Sequence, residues 1–153
     1  MSGFVVVDAS LAVKWLVKEI HTEKAVALAR SWASSDVQPA APYLMPVEVA
    51  NALHRRVVRG ELSSDAAILL LDGLLESGIE LREPFGLHRK AVELAGRLKQ
   101  DAVYDAHYLA LAVALECELW TADERFYRAA APAFGVRWVG SFGEEEPHPP
   151  PPV

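Results

Sequence analysis

Four carboxylates occupy positions from which a folded chain can bring them to one crevice. Asp8 closes the apolar run FVVVD, and Asp123 follows LWT in the segment TAD. Glu48 falls in the first turn of a helix for which Pro46 suits the first position, and Asp105 sits in the apolar run YDAHYLALAVAL. In open α/β sheets ligands gather beyond the carboxyl ends of the strands, so acids at those ends are the first candidates for chemistry. Asp8 and Asp123 taken singly also read as helix caps after a strand. Glu48 gains from the helix dipole in any case, and its stripe with Asn51 and Arg55, opposite Val49, Ala50, Leu53 and Val57, is equally a solvated face. Asp105 is different: Tyr104, Tyr108, Leu109 and Ala112 mark a helix packed on much of its circumference, where a carboxylate needs a partner.

If the four acids converge, their charges repel by roughly 4 kcal/mol per pair at ~4 Å and an effective dielectric of ~20. Protons or a metal ion must relieve that. His21, His54, His88, His107 and His148 show no zinc-motif spacing with one another or with Cys117. An all-oxygen donor set favours Mg²⁺ or Mn²⁺. Such an ion activates water for in-line attack on a phosphodiester and stabilises the leaving oxygen, which is nuclease chemistry. It also lets an acidic chain approach an anionic backbone locally.

A fifth acid, Asp101, precedes Asp105 by one helical turn in KQDAVYDAHYLALAVAL. Stacked like charges are mildly destabilising, so Asp101 is read as the cap of this helix, with a supplementary acid near the site as the alternative.

The elements that must position these side chains follow from local pattern. Phe4–Val7 is a continuous β-branched and aromatic run, as in a central parallel strand covered on both faces. Further strands are expected over 37–41, 79–82, 118–121 and 136–139. Helices are expected over 10–17, 22–34, 47–58, 64–77, 87–99, 103–116 and 124–131, with two serine cap candidates opening SSDAAILLLDGLLESG. Strands separated by helices or helix pairs give an α/β domain with a mostly parallel sheet of four or five strands. From 143 onward GEEEPHPPPPV has five prolines and no apolar periodicity, so a domain over 1–142 is followed by an extended tail over 143–153. The tail reads as a disordered end, with a ligand for a proline-binding groove as the alternative.

At 153 residues the chain suits one domain. Its formal charge of −6, half of it in Glu144, Glu145 and Glu146, argues against a broad basic sheath for nucleic acid. HRRVVR and HRK are local basic clusters that suit phosphate contacts or a solvated helix face. A single cysteine, Cys117, allows no intramolecular disulfide and reads as a buried thiol in a reducing compartment. The stretch MSGFVVVD lacks a basic n-region and meets an acid after four apolar residues, so neither a signal peptide nor a membrane span is expected, and the location is cytoplasmic.

The motifs VVVDAS, PVEVANAL, YDAHYLALA and LWTAD, in this order and at these separations, resemble the PIN-domain family, and within it most closely the VapC-type toxins of prokaryotic toxin–antitoxin pairs. The similarity runs to about Phe142. The resemblance implies a three-layer α/β/α fold and a Mg²⁺- or Mn²⁺-dependent endoribonuclease acting on RNA. Matched motif by motif, it implies that Asp8, Glu48, Asp105 and Asp123 are the metal-holding catalytic acids. Ser10 and Thr121 match small hydroxyl residues that orient a carboxylate or hold water at the ion, and Asn51 is placed to help hold Glu48. A homodimer and a VapB-type antitoxin are implied as partners, the antitoxin lying along an apolar groove for which AILLLDGLL and VANAL are suited. Core packing accounts for those same residues equally well.

Other readings are weaker. A haloacid-dehalogenase-like phosphatase also opens with a strand ending in aspartate, but it needs a second acid where Ser10 stands. A flap-type nuclease needs DNA-binding elements for which this chain leaves little room. A catalytically silent PIN-like interaction domain is the alternative of a different class, and retention of all four acids speaks against it.

Overall fold

Val5, Val6 and Val7 are 3%, 0% and 0% exposed in the computed structural model, which describes residues 3–144. An apolar strand buried this completely belongs at the centre of a sheet, and each such valine contributes roughly 1.5–3 kcal/mol through burial. The strand is β1 (Phe4–Val7), followed by α1 (Ala9–Leu16), α2 (Thr22–Ser34), β2 (Gln38–Ala41), α3 (Leu44–Val58) and α4 (Ser64–Leu75). Then come β3 (Glu80–Leu81), α5 (Leu87–Arg97), α6 (Tyr104–Leu115), β4 (Leu119–Thr121), α7 (Glu124–Ala130) and β5 (Val136–Trp138), with a 3₁₀ turn at Val139–Ser141.

The five strands pair in the order β3-β2-β1-β4-β5, and every pairing is parallel. The architecture is the three-layer α/β/α arrangement expected, with seven α-helices among the described residues. β1 meets β2 in the register Val5 to Pro39 and meets β4 in the register Val7 to Trp120. Two helix pairs flank the sheet's connections: α3 packs on α4, and α5 on α6. α6 is apolar almost all round, with Ala106, Tyr108, Leu109, Leu111 and Ala112 buried, because it packs against both β1 and α5.

Element boundaries differ from the sequence reading in two instructive places. α3 begins at Leu44, so Pro46 stands in the first turn but not at its first position. The first N–H groups of a helix have no intrahelical partner, so proline is tolerated there. α6 begins at Tyr104 after Val103, which makes no side-chain capping bond. Asp101 is therefore not the cap: it lies three residues before Tyr104, and the cap position is Val103. Of the two serine cap candidates, Ser63 is the cap, accepting the N–H of Ala66 at 3.1 Å, and Ser64 is the first residue of α4. Most of the tail expected over 143–153 lies outside the described residues.

Candidate active site

After β1 the chain adds β2 and β3 on one side, then returns to place β4 on the other side of β1. The carboxyl ends of β1 and β4 thus flank a topological switch point, where an open parallel sheet leaves a crevice. Asp8 is the residue immediately after β1, and Asp123 is the second residue after β4. The N–H of Asp8 bonds the carbonyl of Trp120 at 3.3 Å, which holds the two strand ends together.

Asp8 is 3% exposed and accepts three hydrogen bonds. Its Oδ1 takes the Ser10 hydroxyl at 2.7 Å and the Leu11 N–H at 3.0 Å, and Oδ2 takes the Thr121 hydroxyl. The Leu11 bond caps α1, so the cap and the candidate ligand are one residue. With two donors on Oδ1 and one on Oδ2, Oδ2 keeps one acceptor position. Burial nevertheless pushes the Asp8 carboxyl up to about 6, outweighing the bonds from Thr121, Ser10 and Leu11 that favour its charge.

Ser10 and Thr121 also lock the loop after β4. The Ala122 N–H donates to Ser10 Oγ and the Asp123 N–H to Thr121 Oγ1, both at 3.0 Å. Each hydroxyl spends its proton on Asp8, so the 3.3 Å contact between the two oxygens is a consequence of sharing that carboxylate. Asp123 Oδ1 caps α7 through the Phe126 N–H at 3.0 Å, so this acid is a helix cap as well as a candidate ligand.

Glu48 enters from α3. Its Oε1 accepts the hydroxyl of Tyr108 at 2.7 Å. Tyr108 is 1% exposed, and burial, then the hydrogen bond to and charge of Glu48, hold its phenol far above the ordinary value, so it stays a donor. Tyr108, a partner of a candidate site acid, is a side chain that sequence reasoning assigned only to packing. The available signal was that a buried tyrosine needs a partner for its hydroxyl, and that Tyr108 follows Asp105 at i+3 on one helix face. Asn51, expected to hold Glu48, is exposed on the rim of a neighbouring groove.

Asp105 is half-buried in the first turn of α6. Desolvation, then the charges of Asp8, Asp123 and Glu48, raise its carboxyl to about 7. All four acids are therefore close enough for the other three to act on Asp105 through their charges. Among the described residues no three His, Cys, Asp or Glu side chains are grouped tightly enough to grasp one ion together. An all-oxygen crevice of this openness fits an ion that keeps several waters and takes one or two carboxylates directly, which is the habit of Mg²⁺.

Two grooves meet at Glu48 and Tyr104. One, of ≈ 670 Å³, is lined by Ser10, Asn51 and Arg55; the other, of ≈ 400 Å³, by Lys99, Asp101, Asp105, Asp123 and Arg125. Asp101 is thus a supplementary acid on the wall of the crevice, the alternative reading of its spacing.

Comparison with known proteins agrees with this geometry. A family model described as the PIN domain matches residues 5–132. Ribonuclease VapC1 of Mycobacterium tuberculosis is 40% identical over 93 residues, which cover 60% of this chain and 66% of that relative, just under two thirds of its length. Ribonuclease VapC9 of the same organism is 31% identical over 121 residues, covering 79% of this chain and 87% of VapC9. Among solved structures, VapBC2 from Rickettsia felis bound to a DNA fragment from their promoter matches with a TM-score of 0.67 at 16% identity, over 88% of this chain and 98% of that one.

Proposed function

Because the chain belongs to the PIN-domain family, we propose that it is a Mg²⁺- or Mn²⁺-dependent endoribonuclease, the toxin of a VapBC-type toxin–antitoxin pair, with Asp8, Glu48, Asp105 and Asp123 as its catalytic acids. The observation that carries this reading is the crowding of Asp105, whose carboxyl is raised to about 7 in part by the other three charges. Among the described residues no cationic side chain is bonded to any of these carboxylates, and a site that holds them together in this way is suited to a cation from solution.

Bound there, Mg²⁺ or Mn²⁺ supplies positive charge to a phosphodiester and acidifies water beside it. Asp8 and Asp123 are oriented by the backbone N–H groups they cap. Ser10 and Thr121 hold Asp8 in one orientation, and Tyr108 does the same for Glu48. Arg55 in one groove and Lys99 and Arg125 in the other flank the acids and offer charge to the phosphates on either side of the scissile bond. Tyr104, 57% exposed where the grooves meet, presents a ring on which an unpaired base can stack. These features favour a single-stranded segment of RNA.

The expected partners belong to the same reading. An apolar groove of ≈ 290 Å³ between α3 and α4, lined by Ala50, Leu53, Val57, Ala67, Ile68 and Leu71, suits the apolar segment of a VapB-type antitoxin. Exposed Phe85, Val92 and Val113 are apolar surface for a homodimer. No helix among the described residues is long and apolar enough to cross a membrane, and a cytoplasmic location is proposed with the activity.

Cleavage mapping on total RNA with Mg²⁺ or Mn²⁺, alongside Asp8→Asn, tests the proposal. Divalent-dependent cuts that vanish in the variant are expected; cuts that persist in it overturn the site. Failure of the isolated protein to bind Mn²⁺ would favour the silent interaction domain. Tyr108→Phe, which keeps the ring and removes the donor on Glu48, is expected to lower cleavage or Mn²⁺ affinity by ~10–100-fold. Because Glu48 is part-exposed and can take water instead, the melting temperature should change little.

A further inference from the structure

None of the roles that account for the other acids of the crevice accounts for Asp101. It is not the cap of α6, and among the described residues it makes no hydrogen bond or ion pair. The charges that raise the Asp105 carboxyl are those of Asp8, Asp123 and Glu48. Asp101 is not among them although it stands four residues away in the chain, so it lies apart from the acids that would share an ion. Its place is nevertheless fixed. The chain leaves α5 with the Gln100 N–H on the carbonyl of Ala95 at 2.9 Å and with Lys99 held in the left-handed region at φ 55°. It enters α6 with the carbonyl of Val103 accepting the His107 N–H at 3.1 Å and lying 2.7 Å from His107 Nδ1. Both ends of the short loop that carries Asp101 are thus tied to helices. An unpaired carboxylate held beside an RNA backbone repels it, and only donors on the ligand offset that.

The groove of ≈ 400 Å³ between this loop and α7 is lined by Lys99, Asp101, Tyr104, Asp105, Asp123 and Arg125. Its size lies within the roughly 300–1,000 Å³ of small-ligand clefts. Resting on the ribonuclease reading, we propose that this groove receives one nucleoside beside the scissile phosphate and that Asp101 selects guanine there. The Watson–Crick edge of guanine presents two parallel donors, N1–H and the N2 amino group, which match the two oxygens of a carboxylate. Adenine and cytosine each offer one amino donor beside a ring-nitrogen lone pair that repels the second oxygen, and uracil offers one N–H between two carbonyls. The exposed ring of Tyr104 supplies a stacking face, and Lys99 and Arg125 supply charge for the flanking phosphates. Asp105 and Asp123 line the same groove, so the base read in it belongs to a nucleotide at the cut. RNA without guanine at that position meets the repulsion of Asp101 with no donor pair to offset it.

The test measures binding to full-length Asp8→Asn protein, in which cleavage does not consume the probe, by fluorescence anisotropy with single-stranded uridine heptamers carrying a central guanosine, a central inosine or neither. Inosine lacks only the N2 amino group, so it removes one of the two donors. The guanosine heptamer is expected to bind about tenfold tighter than either of the others. Asp101→Ala in the same background should erase that preference while the all-uridine heptamer binds as well or better, because a repelling charge is gone. In the chain with Asp8 intact, Asp101→Ala should leave Mn²⁺ affinity unchanged and spread the divalent-dependent cuts to sites without guanosine. Equal binding of the three heptamers, a guanosine preference that survives Asp101→Ala, or a Mn²⁺ affinity that falls with it would overturn the assignment of Asp101, while divalent-dependent cleavage that Asp8→Asn removes would keep the ribonuclease reading. Absence of both RNA binding and cleavage would overturn that reading, and the guanine subsite with it.

Discussion

Asp105→Asn is expected to abolish RNA cleavage and, in the same preparation without metal at pH 8, to raise the melting temperature. The two effects have one cause. At pH 8 the Asp105 carboxyl, with its value at about 7, is mostly ionised while half-buried and facing the charges of Asp8, Asp123 and Glu48. Asparagine has the same shape without the charge, so the folded protein is relieved of desolvation and repulsion. Asp105 is partly solvated, which screens the effect, and a rise of roughly 2–4 °C is in keeping with about 1 kcal/mol for a chain of this size. Loss of a metal-holding acid removes several kcal/mol of transition-state stabilisation, or ~10³-fold or more in rate. A residue kept for packing would lose stability with activity; a residue kept for chemistry trades one against the other. An Asp105→Asn protein that melts lower at pH 8, or still cleaves RNA, would sink the assignment.

That trade also explains which parts of the site were legible beforehand. Asp8 and Asp123 were legible because a short apolar strand ending in an acid is a local pattern, and a parallel sheet converts strand ends into a shared crevice. Capping and ligation had looked like rival readings of these residues. They are not rivals, because a carboxylate has acceptor positions left after it caps: Asp8 Oδ1 takes the Leu11 N–H and leaves Oδ2 one position open. Asp101 was misread because a cap is defined by where the backbone turns helical, and here that turn falls at Tyr104. Tyr108 was missed because its partner, Glu48, stands 60 residues earlier on another helix.

Without metal, the protein is expected to be more stable near pH 5 than near pH 8, and Mn²⁺ should offset most of that difference. Asp8 and Asp105 titrate near 3.8 when the chain is unfolded, but at about 6 and about 7 when folded. Between these values the folded state holds protons that the unfolded state has released, so stability falls as pH rises through the window from about 4 to about 7. For buried Asp8 the shift corresponds to about 3 kcal/mol, or a fall of roughly 6–12 °C in melting temperature. The contribution of half-exposed Asp105 adds to this in the same direction. A divalent ion binds the ionised carboxylates of the folded state alone, so its stabilisation grows over the same interval, reaching about 2.7 kcal/mol at a hundredfold excess over its dissociation constant. Thermal melts from pH 4.5 to 8, with and without Mn²⁺, read this out directly, and Asp105→Asn isolates its own part as a flatter metal-free profile. A metal-free melting temperature that climbs between pH 5 and 7.5, equally in Asp105→Asn, would mean that these acids are not the strained groups of the fold. The converse result ties the instability of the empty crevice to the cation that relieves it.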